Sequence, residues 1–246
     1  MSETNRLVTL RFELSSAATF GRGDGLPGLV DSEVEHDAYG FPFLRGRTLR
    51  GLLAEEMESL LYALGEIGQR EEWKQARCRL LGDGARLLDE TGILHVGNAQ
   101  LPEAVRHLII DKAETEKKAA RLEKDRTGKM PPLFFTREAV LESVTAVRRQ
   151  TAMTHLGAPE PASLRAQRVI LRTTQFEAPL HFDIAPETPE LELELALLTA
   201  ATLAWRRAGT GRNRGRGRLQ AWLNDEAWTQ VRFAEFAKFC QGVKPQ

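Results

Sequence analysis

Between Gly209 and Arg218 the chain reads Gly209-Thr210-Gly211-Arg212-Asn213-Arg214-Gly215-Arg216-Gly217-Arg218, glycine and arginine in near alternation with no acid among them. Glycine admits positive φ and close approach of another chain. Backbone N–H groups and guanidinium forks can then face one way, which suits phosphate oxygens. Six arginines and no Asp or Glu lie between Trp205 and Arg218. Like charge at that density favours a polyanion as its counterpart. The alternative is a flexible turn whose arginines are solvated. A second group of chemistry-bearing residues is acidic: Asp31, Glu33, Glu35 and Asp37. In an extended segment Asp31, Glu33 and Glu35 share one face, with Val30 and Val34 on the other. Asp37 belongs to the turn before Gly40. By residue type alone Asp31 is a solvated loop carboxylate.

These groups need elements to hold them. Leu7 to Ser15 alternates apolar Leu10, Phe12 and Leu14 with polar Thr9, Arg11 and Glu13, the period of a half-buried strand. A glycine-rich connection follows at Gly21 to Gly28, without the lysine and hydroxyl spacing of a P-loop. Thr48 is the expected N-cap of a helix over Leu49 to Leu64. Arg45, Arg47 and Arg50 lie at its start, where free N–H groups and the helix dipole favour phosphate. The alternative for these arginines is pairing with Glu55 and Glu56. Trp73 to Leu81 reads as a helix ending at Gly82, and Ile93 to Ala99 as a strand with a bulge at Gly97. Ala104 to Lys129 is long and charged, either an exposed helical insertion or a loop.

Ala139 to Val147 reads as a strand, followed by Arg148-Arg149-Gln150. Thr151 to Leu164 holds prolines and a glycine that disfavour regular structure, so a protruding loop is expected there. Arg165 to Leu171 leads to a strand, and Phe176 to Ile184 is another. Pro189 opens a helix to Arg207 that Gly209 ends. A strand runs through Leu223, and Val231, Phe233 and Phe236 form an apolar tail. Trp205 and Trp222 read as core. This order fits an α+β class: a ferredoxin-like βαββαβ sheet carrying insertions.

Composition narrows the function classes. The formal net charge is zero, from 34 basic and 34 acidic residues, so nucleic-acid binding must rest on local asymmetry. Cys78 and Cys240 have neither metal-ligand spacing nor disulfide density, which predicts a reducing, cytoplasmic setting. The five histidines form no zinc-like motif. His36 could titrate as an acid or base, and His155 is a loop residue. No signal peptide, membrane-length apolar run, dinucleotide fingerprint or catalytic triad is present in the sequence.

Several motifs occur together in a recognisable order. Asp31 and Asp37 precede the turn and the step Phe41-Pro42-Phe43-Leu44, and Thr48-Leu49-Arg50-Gly51 is a basic helix start. The chain continues with Cys78-Arg79-Leu80-Leu81-Gly82, then Arg148-Arg149-Gln150-Thr151-Ala152-Met153 and Ser163-Leu164-Arg165, then the glycine-arginine loop. Together these resemble the repeat-associated (RAMP) superfamily of CRISPR proteins over most of the chain. They look most like the Cas-seven-type backbone subunits of type III effector complexes, the III-D branch among them. One departure is Phe43-Leu44-Arg45-Gly46, which replaces the more usual apolar-Pro-Gly/Ala step. Sister Cas-five-type subunits share much of this signature.

The resemblance implies a single domain with an insertion at about 103–130 and a thumb at about 148–168. Such backbone subunits polymerise along a CRISPR RNA. Each inserts a thumb that distorts the guide–target duplex, and a loop aspartate cuts the target RNA with a divalent metal. Asp31 matches that aspartate, which implies Mg²⁺ or another divalent cation at Asp31. The implied RNA contacts are Arg45, Arg47, Arg50, Arg148, Arg149, Arg165, Arg212, Arg214 and Arg216. The implied partners are CRISPR RNA, target RNA and other effector subunits, including copies or paralogues of this chain, and no membrane. The rival readings are a non-cleaving structural or capping subunit, and a repeat-processing endoribonuclease. The last relies on histidine acid–base chemistry, for which no well-placed N-terminal histidine is present.

Overall fold

Strict alternation does make Leu7–Leu14 a strand, β1, with Val8, Leu10, Phe12 and Leu14 buried. The structure is a computed structural model that describes residues 7–25, 30–82, 92–152, 154–160, 163–184, 186 and 188–242. The end of the glycine-rich connection, 26–28, and the residue after it lie outside the described residues, as do Met153, Pro161 and Ala162 of the expected thumb. After β1 come α1 (Gly46–Ala63), α2 (Glu71–Leu81), β2 (Leu94–Val96), α3 (Glu103–Thr127) and α4 (Arg137–Val144). Next are β3 (Thr145–Gln150), β4 (Arg165–Ile170), β5 (Gln175–Phe182), α5 (Glu192–Ala204), β6 (Leu219–Leu223) and α6 (Glu226–Cys240).

One antiparallel sheet has the order β2-β5-β1-β6. Setting aside the other elements, the chain runs β1, α1, β2, β5, α5, β6. That sequence and strand order are those of a ferredoxin-like βαββαβ sheet. The aromatic centre is built on β1: Phe12 stacks on Phe176 at 5.0 Å and meets Trp205 edge-on at 5.0 Å. α1 buries Leu49, Leu53, Met57 and Leu61, spaced by four, and packs beside α5. α5 is buried almost all round because α1, α2, α6 and β6 surround it. The second sheet is the β3–β4 hairpin, which leaves the core between β2 and β5 in sequence.

Several local expectations change. α1 begins at Gly46, with Arg45 as its cap residue, so Thr48 lies inside the helix. The Gly46 N–H donates to Asn98 Oδ1 at 2.8 Å, a cap from a distant segment. A Cβ at Gly46 would sit 2.2 Å from the Val96 carbonyl oxygen, so glycine alone fits this entry. The expected strand over Ala139–Val147 is helical to Val144: Thr136 Oγ1 accepts the Ala139 N–H at 3.1 Å, and Val140, Leu141 and Val144 form a helical face. Only Thr145 onward is strand. The strand expected with Arg165 to Leu171 is β4, which begins at Arg165 itself. The apolar C-terminal segment is α6, capped by Asp225 Oδ1 accepting from Trp228 N–H at 2.8 Å. Trp205 is core, but Trp222 is only half-buried, on the sheet face away from the helices. Of the alternatives for 104–129, the chain forms the helix α3. No helix among the described residues is long and apolar enough to cross a membrane.

Candidate nucleic-acid interface

The glycine-arginine loop joins α5 to β6 and is tied down along its length. Thr210 N–H donates to the Thr19 carbonyl at 2.9 Å, and Gly217 N–H to the Ala17 carbonyl at 2.9 Å. Arg218 N–H donates to Ser16 Oγ at 2.9 Å. Two glycines are obligatory. A Cβ at Gly209 (φ 86°) would stand 2.5 Å from Thr19 O, and one at Gly217 (φ 64°) 1.8 Å from Ala208 O. Both positions combine left-handed backbone with a close strand. The loop is therefore a fixed scaffold and not a free turn. Arg212 to Arg214 form one 3₁₀ turn within it.

The loop's arginines differ in what they hold. Arg212 Nη1 bonds Glu55 Oε2 of α1 at 3.1 Å. Arg214 is exposed and Arg216 half-buried, and neither guanidinium has a partner among the described residues. Beside Glu55, the Glu56 carboxyl is pushed above the usual carboxylate range, first by burial and then by Glu55, with Arg212 opposing.

Three adjoining depressions meet at this loop. One, of about 290 Å³, runs from Phe20, Glu35 and Arg45 to Thr210 and Arg212. The next, of about 540 Å³, has the loop on one side and Gln150 and Gln167 of the hairpin on the other. The third, of about 480 Å³, continues along Gln150, Ser163, Arg165 and Arg214. Neighbours share walls: Thr210 and Arg212 belong to the first two, Gln150 and Arg214 to the last two. The result is one polar groove from the start of α1, across the loop, to the hairpin. A cavity of about 550 Å³ between α5, β6 and the start of α6 lies apart from it, lined by Leu203, Arg206 and Trp222.

The hairpin register sorts the remaining arginines. Arg148 pairs with Gln167, Arg149 with Ala166, and Gln150 with Arg165. Directly opposed residues of an antiparallel pair share a face, and alternate residues do too. Arg148, Gln150, Arg165 and Gln167 therefore share the groove face, and Arg149 takes the other. At the start of α1, both Glu35 oxygens bind Arg45 Nη2 at 2.9 Å. Arg50 donates to the Leu81 carbonyl at the end of α2, away from the groove. Arg47 is exposed and has no ion-pair partner among the described residues. The expected partners Glu55 and Glu56 hold none of the three.

Asp31 sits where residues 30–34 run alongside β4. Its N–H donates to Ala166 O at 2.7 Å, and its Oδ2 accepts the Ala166 N–H at 2.6 Å. Arg168 N–H donates to Ser32 O at 3.0 Å, so the segment continues parallel to the strand. Asp31 is exposed, as expected, but Glu33, two residues on, is buried. Glu33 is 0% exposed and forms an ion pair with Arg168, itself 7% exposed, at 2.9 Å. Arg168 Nη1 also reaches Thr145 Oγ1 at 3.3 Å, and Glu33 Oε1 accepts the Val34 N–H at 2.9 Å. This buried pair fastens the hairpin base to the body. Sequence reading missed it, and the only signal was the apolar context of Val34 and of Val169-Ile170.

The other acidic and basic groups are structural. Asp37 Oδ1 accepts from Tyr39 N–H and Phe41 N–H at 2.9 and 3.1 Å, closing the expected turn. Its Oδ2 takes Arg106 Nη2 at 3.0 Å, which anchors α3. His36 is half-buried beside the Asp37 carbonyl, and His155 is exposed in the hairpin loop. Among the described residues no three His, Cys, Asp or Glu side chains converge as a metal site. Asp31 has one carboxylate oxygen uncommitted among the described residues. That fits a single contact to a hydrated Mg²⁺ whose other ligands are RNA phosphates and water.

Comparison with solved structures places the fold. The chain is similar to a type III-B Cmr-beta bound to cognate target RNA, with 12% identity and a TM-score of 0.58, over 92% of this chain and 98% of that one. It is also similar to the apo state of type III-B Cmr-beta, with 13% identity and a TM-score of 0.60, over 92% and 99%. No curated protein matches. The model of the RAMP superfamily matches residues 11–220, a span from β1 through the glycine-arginine loop into β6. With that span and this strand order, the chain belongs to the RAMP superfamily.

Proposed function

We propose that this chain is a guide-RNA-binding backbone subunit of a type III CRISPR effector complex, of the Cas-seven type. The observation that carries the reading is the continuous groove in which the ordered glycine-arginine loop faces the β3–β4 hairpin, with Arg214 and Arg216 unpaired. Guanidinium groups without acidic partners are free for phosphate, and the ordered loop backbone that carries them lowers the ordering cost of binding. Superfamily membership and a fold shared with a Cmr protein bound to target RNA support the same reading. In this reading the partners are CRISPR RNA, target RNA and neighbouring effector subunits, and the β3–β4 hairpin is the thumb. Purification of the chain with its effector complex, followed by sequencing of the bound RNA, tests it. Guide-length repeat-derived RNA is expected, and its absence overturns the reading.

We further propose that Asp31 cuts the target strand. A Mg²⁺ ion bound there would stabilise charge on the reacting phosphate. The chain's own part is positional: the Ala166 hydrogen bonds hold the carboxylate at the hairpin base, beside any strand that the hairpin distorts. A second reading, a structural subunit that does not cleave, draws on the same bond. One Asp31 oxygen is already occupied, and among the described residues Asp31 belongs to no cluster of three His, Cys, Asp or Glu side chains. Cleavage of guide-paired RNA by the assembled complex, with Mg²⁺ and with EDTA, separates the two.

A further inference from the structure

The α1 end of the groove differs in chemistry from the rest. Its depression of about 290 Å³ has the apolar side chains of Phe20, Phe43, Leu44 and Leu52 in its walls. Ala152 apart, the described walls of the two depressions on the hairpin side are polar side chains and glycines. Phe20 and Leu44 are buried, while Phe43 and Leu52 are half-buried and keep surface open to a ligand. Three of the lining residues stand side by side: Glu35 N–H donates to the Phe20 carbonyl at 2.7 Å, and Phe43 N–H to the Glu35 carbonyl at 3.1 Å. Leu44 and Ala99 exchange two N–H to carbonyl bonds at 2.9 Å, which fixes the backbone that carries Phe43. Among the described residues Phe43 belongs neither to the core nor to the side chains packed against it, and its ring pairs with no other ring. Packing therefore does not account for an aromatic at this position. It lies in Phe43-Leu44-Arg45-Gly46, the stretch where this chain departs from the family's usual step.

An aromatic ring with open surface beside a phosphate-binding loop is a stacking platform for a base. Thr210 and Arg212 wall both this depression and the next, so a phosphate held on the loop stands beside the pocket. The pocket is at the small end of ligand sites, sized for one planar ring system. The Glu35–Arg45 ion pair also lines it, at 2.9 Å, and engages a single guanidinium nitrogen. It offers carboxylate acceptors and the remaining guanidinium donors together, which suits the Watson–Crick edge of an unpaired base. We propose that this pocket takes one unpaired nucleobase, its face on Phe43 and its edge toward the Glu35–Arg45 pair. No residue of the hairpin lines the pocket, so this contact is separate from any distortion that the hairpin imposes. The proposal rests on the RNA-binding reading above and adds a base contact to a groove otherwise suited to phosphates.

The test uses the purified full chain with two ligands of equal length and charge: a single-stranded RNA and an abasic oligomer, which keeps the sugar-phosphate backbone and lacks every base. The variants are Phe43→Ala, Phe43→Tyr, which keeps an aromatic ring, and Arg214→Ala. Thermal melting confirms that each is folded. The expected result is that Phe43→Ala loses about five- to hundredfold in RNA affinity, the scale of one base stacked on an aromatic ring. Its affinity for the abasic oligomer stays unchanged, as does its salt slope on both ligands, because no phosphate contact is lost. Phe43→Tyr binds RNA like the wild type. Arg214→Ala weakens both ligands alike and lowers the slope. Equal losses on RNA and the abasic oligomer in Phe43→Ala make the contact a backbone contact and overturn the proposal. No loss overturns it equally, as does a loss in Phe43→Tyr as large as that in Phe43→Ala. If the wild-type chain binds neither ligand, the RNA-binding reading itself fails. If it binds RNA and Phe43→Ala binds it equally well, this proposal alone fails.

Discussion

Asp31 and Ala166 exchange two hydrogen bonds, N–H to carbonyl at 2.7 Å and N–H to carboxylate at 2.6 Å. The proposed cleaving acid and the base of the hairpin are thereby one unit. Charge and position can be separated by substitution. Asp31→Ala removes the charge and the side-chain half of the hairpin contact, leaving the backbone bond to Ala166, and Asp31→Asn keeps an acceptor for Ala166 and loses the charge. Both should lower target cleavage by ~100-fold or more, the scale of losing a group aimed at the reacting phosphate. Guide binding and assembly should stay near normal in Asp31→Asn. Cleavage assays on complexes of verified composition check this. Full cutting by Asp31→Asn would sink the catalytic role and leave Asp31 as an anchor.

Arg214 and Arg216 should carry more of the RNA affinity than Arg212, which is already paired with Glu55. Each lost phosphate contact to a single strand lowers the salt slope by ~0.7. Arg214→Ala with Arg216→Ala should therefore flatten the slope by ~1.4 on the same basis. Glu55→Gln should strengthen RNA binding by releasing Arg212. Titrations across a salt series read both effects, and an unchanged slope in the double variant removes the loop from the phosphate path.

The Glu33–Arg168 pair should behave as a buried ion pair. Arg168→Ala leaves a carboxylate at 0% exposure without its partner and should cost ~3–5 kcal/mol. Glu33→Leu combined with Arg168→Met should recover much of that loss, since apolar replacement of both partners removes the buried charge. Urea unfolding of the singles and the double provides the cycle. If the double variant is as unstable as the sum of the singles, the two residues act independently.

Glu56 gives a pH signature. Its carboxyl is raised by burial and by Glu55, so the ionised form is disfavoured in the folded chain. The sign follows from linkage: stability from this group is fully present below its unfolded pKa and is lost as pH rises through the folded one. Glu56→Gln should therefore raise the melting temperature at about pH 7 and have little effect at about pH 3.5, below the unfolded carboxylate range. Calorimetry at both values checks it, and equal shifts at the two would point to packing instead of charge.

Much of the scaffold was legible because its signals are local. Alternation through Leu10, Phe12 and Leu14 identifies β1, and the spacing of Leu49, Leu53, Met57 and Leu61 identifies α1. Even so, periodicity over few residues misassigned Val140 to Val144, where a Thr136 cap and a helical face prevail over strand-like composition.

The strand and helix order of the ferredoxin-like core, the acid-free arginine loop and the exposure of Asp31 can all be read along the chain. Those depend on residue type and near-neighbour spacing. The tertiary structure alone decided that Glu33 is buried and Asp31 is not, although both occupy the same phase of an alternating segment. The reason is a partner 135 positions away: Arg168 compensates one carboxylate in the interior, and the Ala166 amide holds the other at the surface. It also decided which arginines meet in one groove, because the register of β3 on β4 places Arg148 and Arg165 on the loop's side and turns Arg149 away.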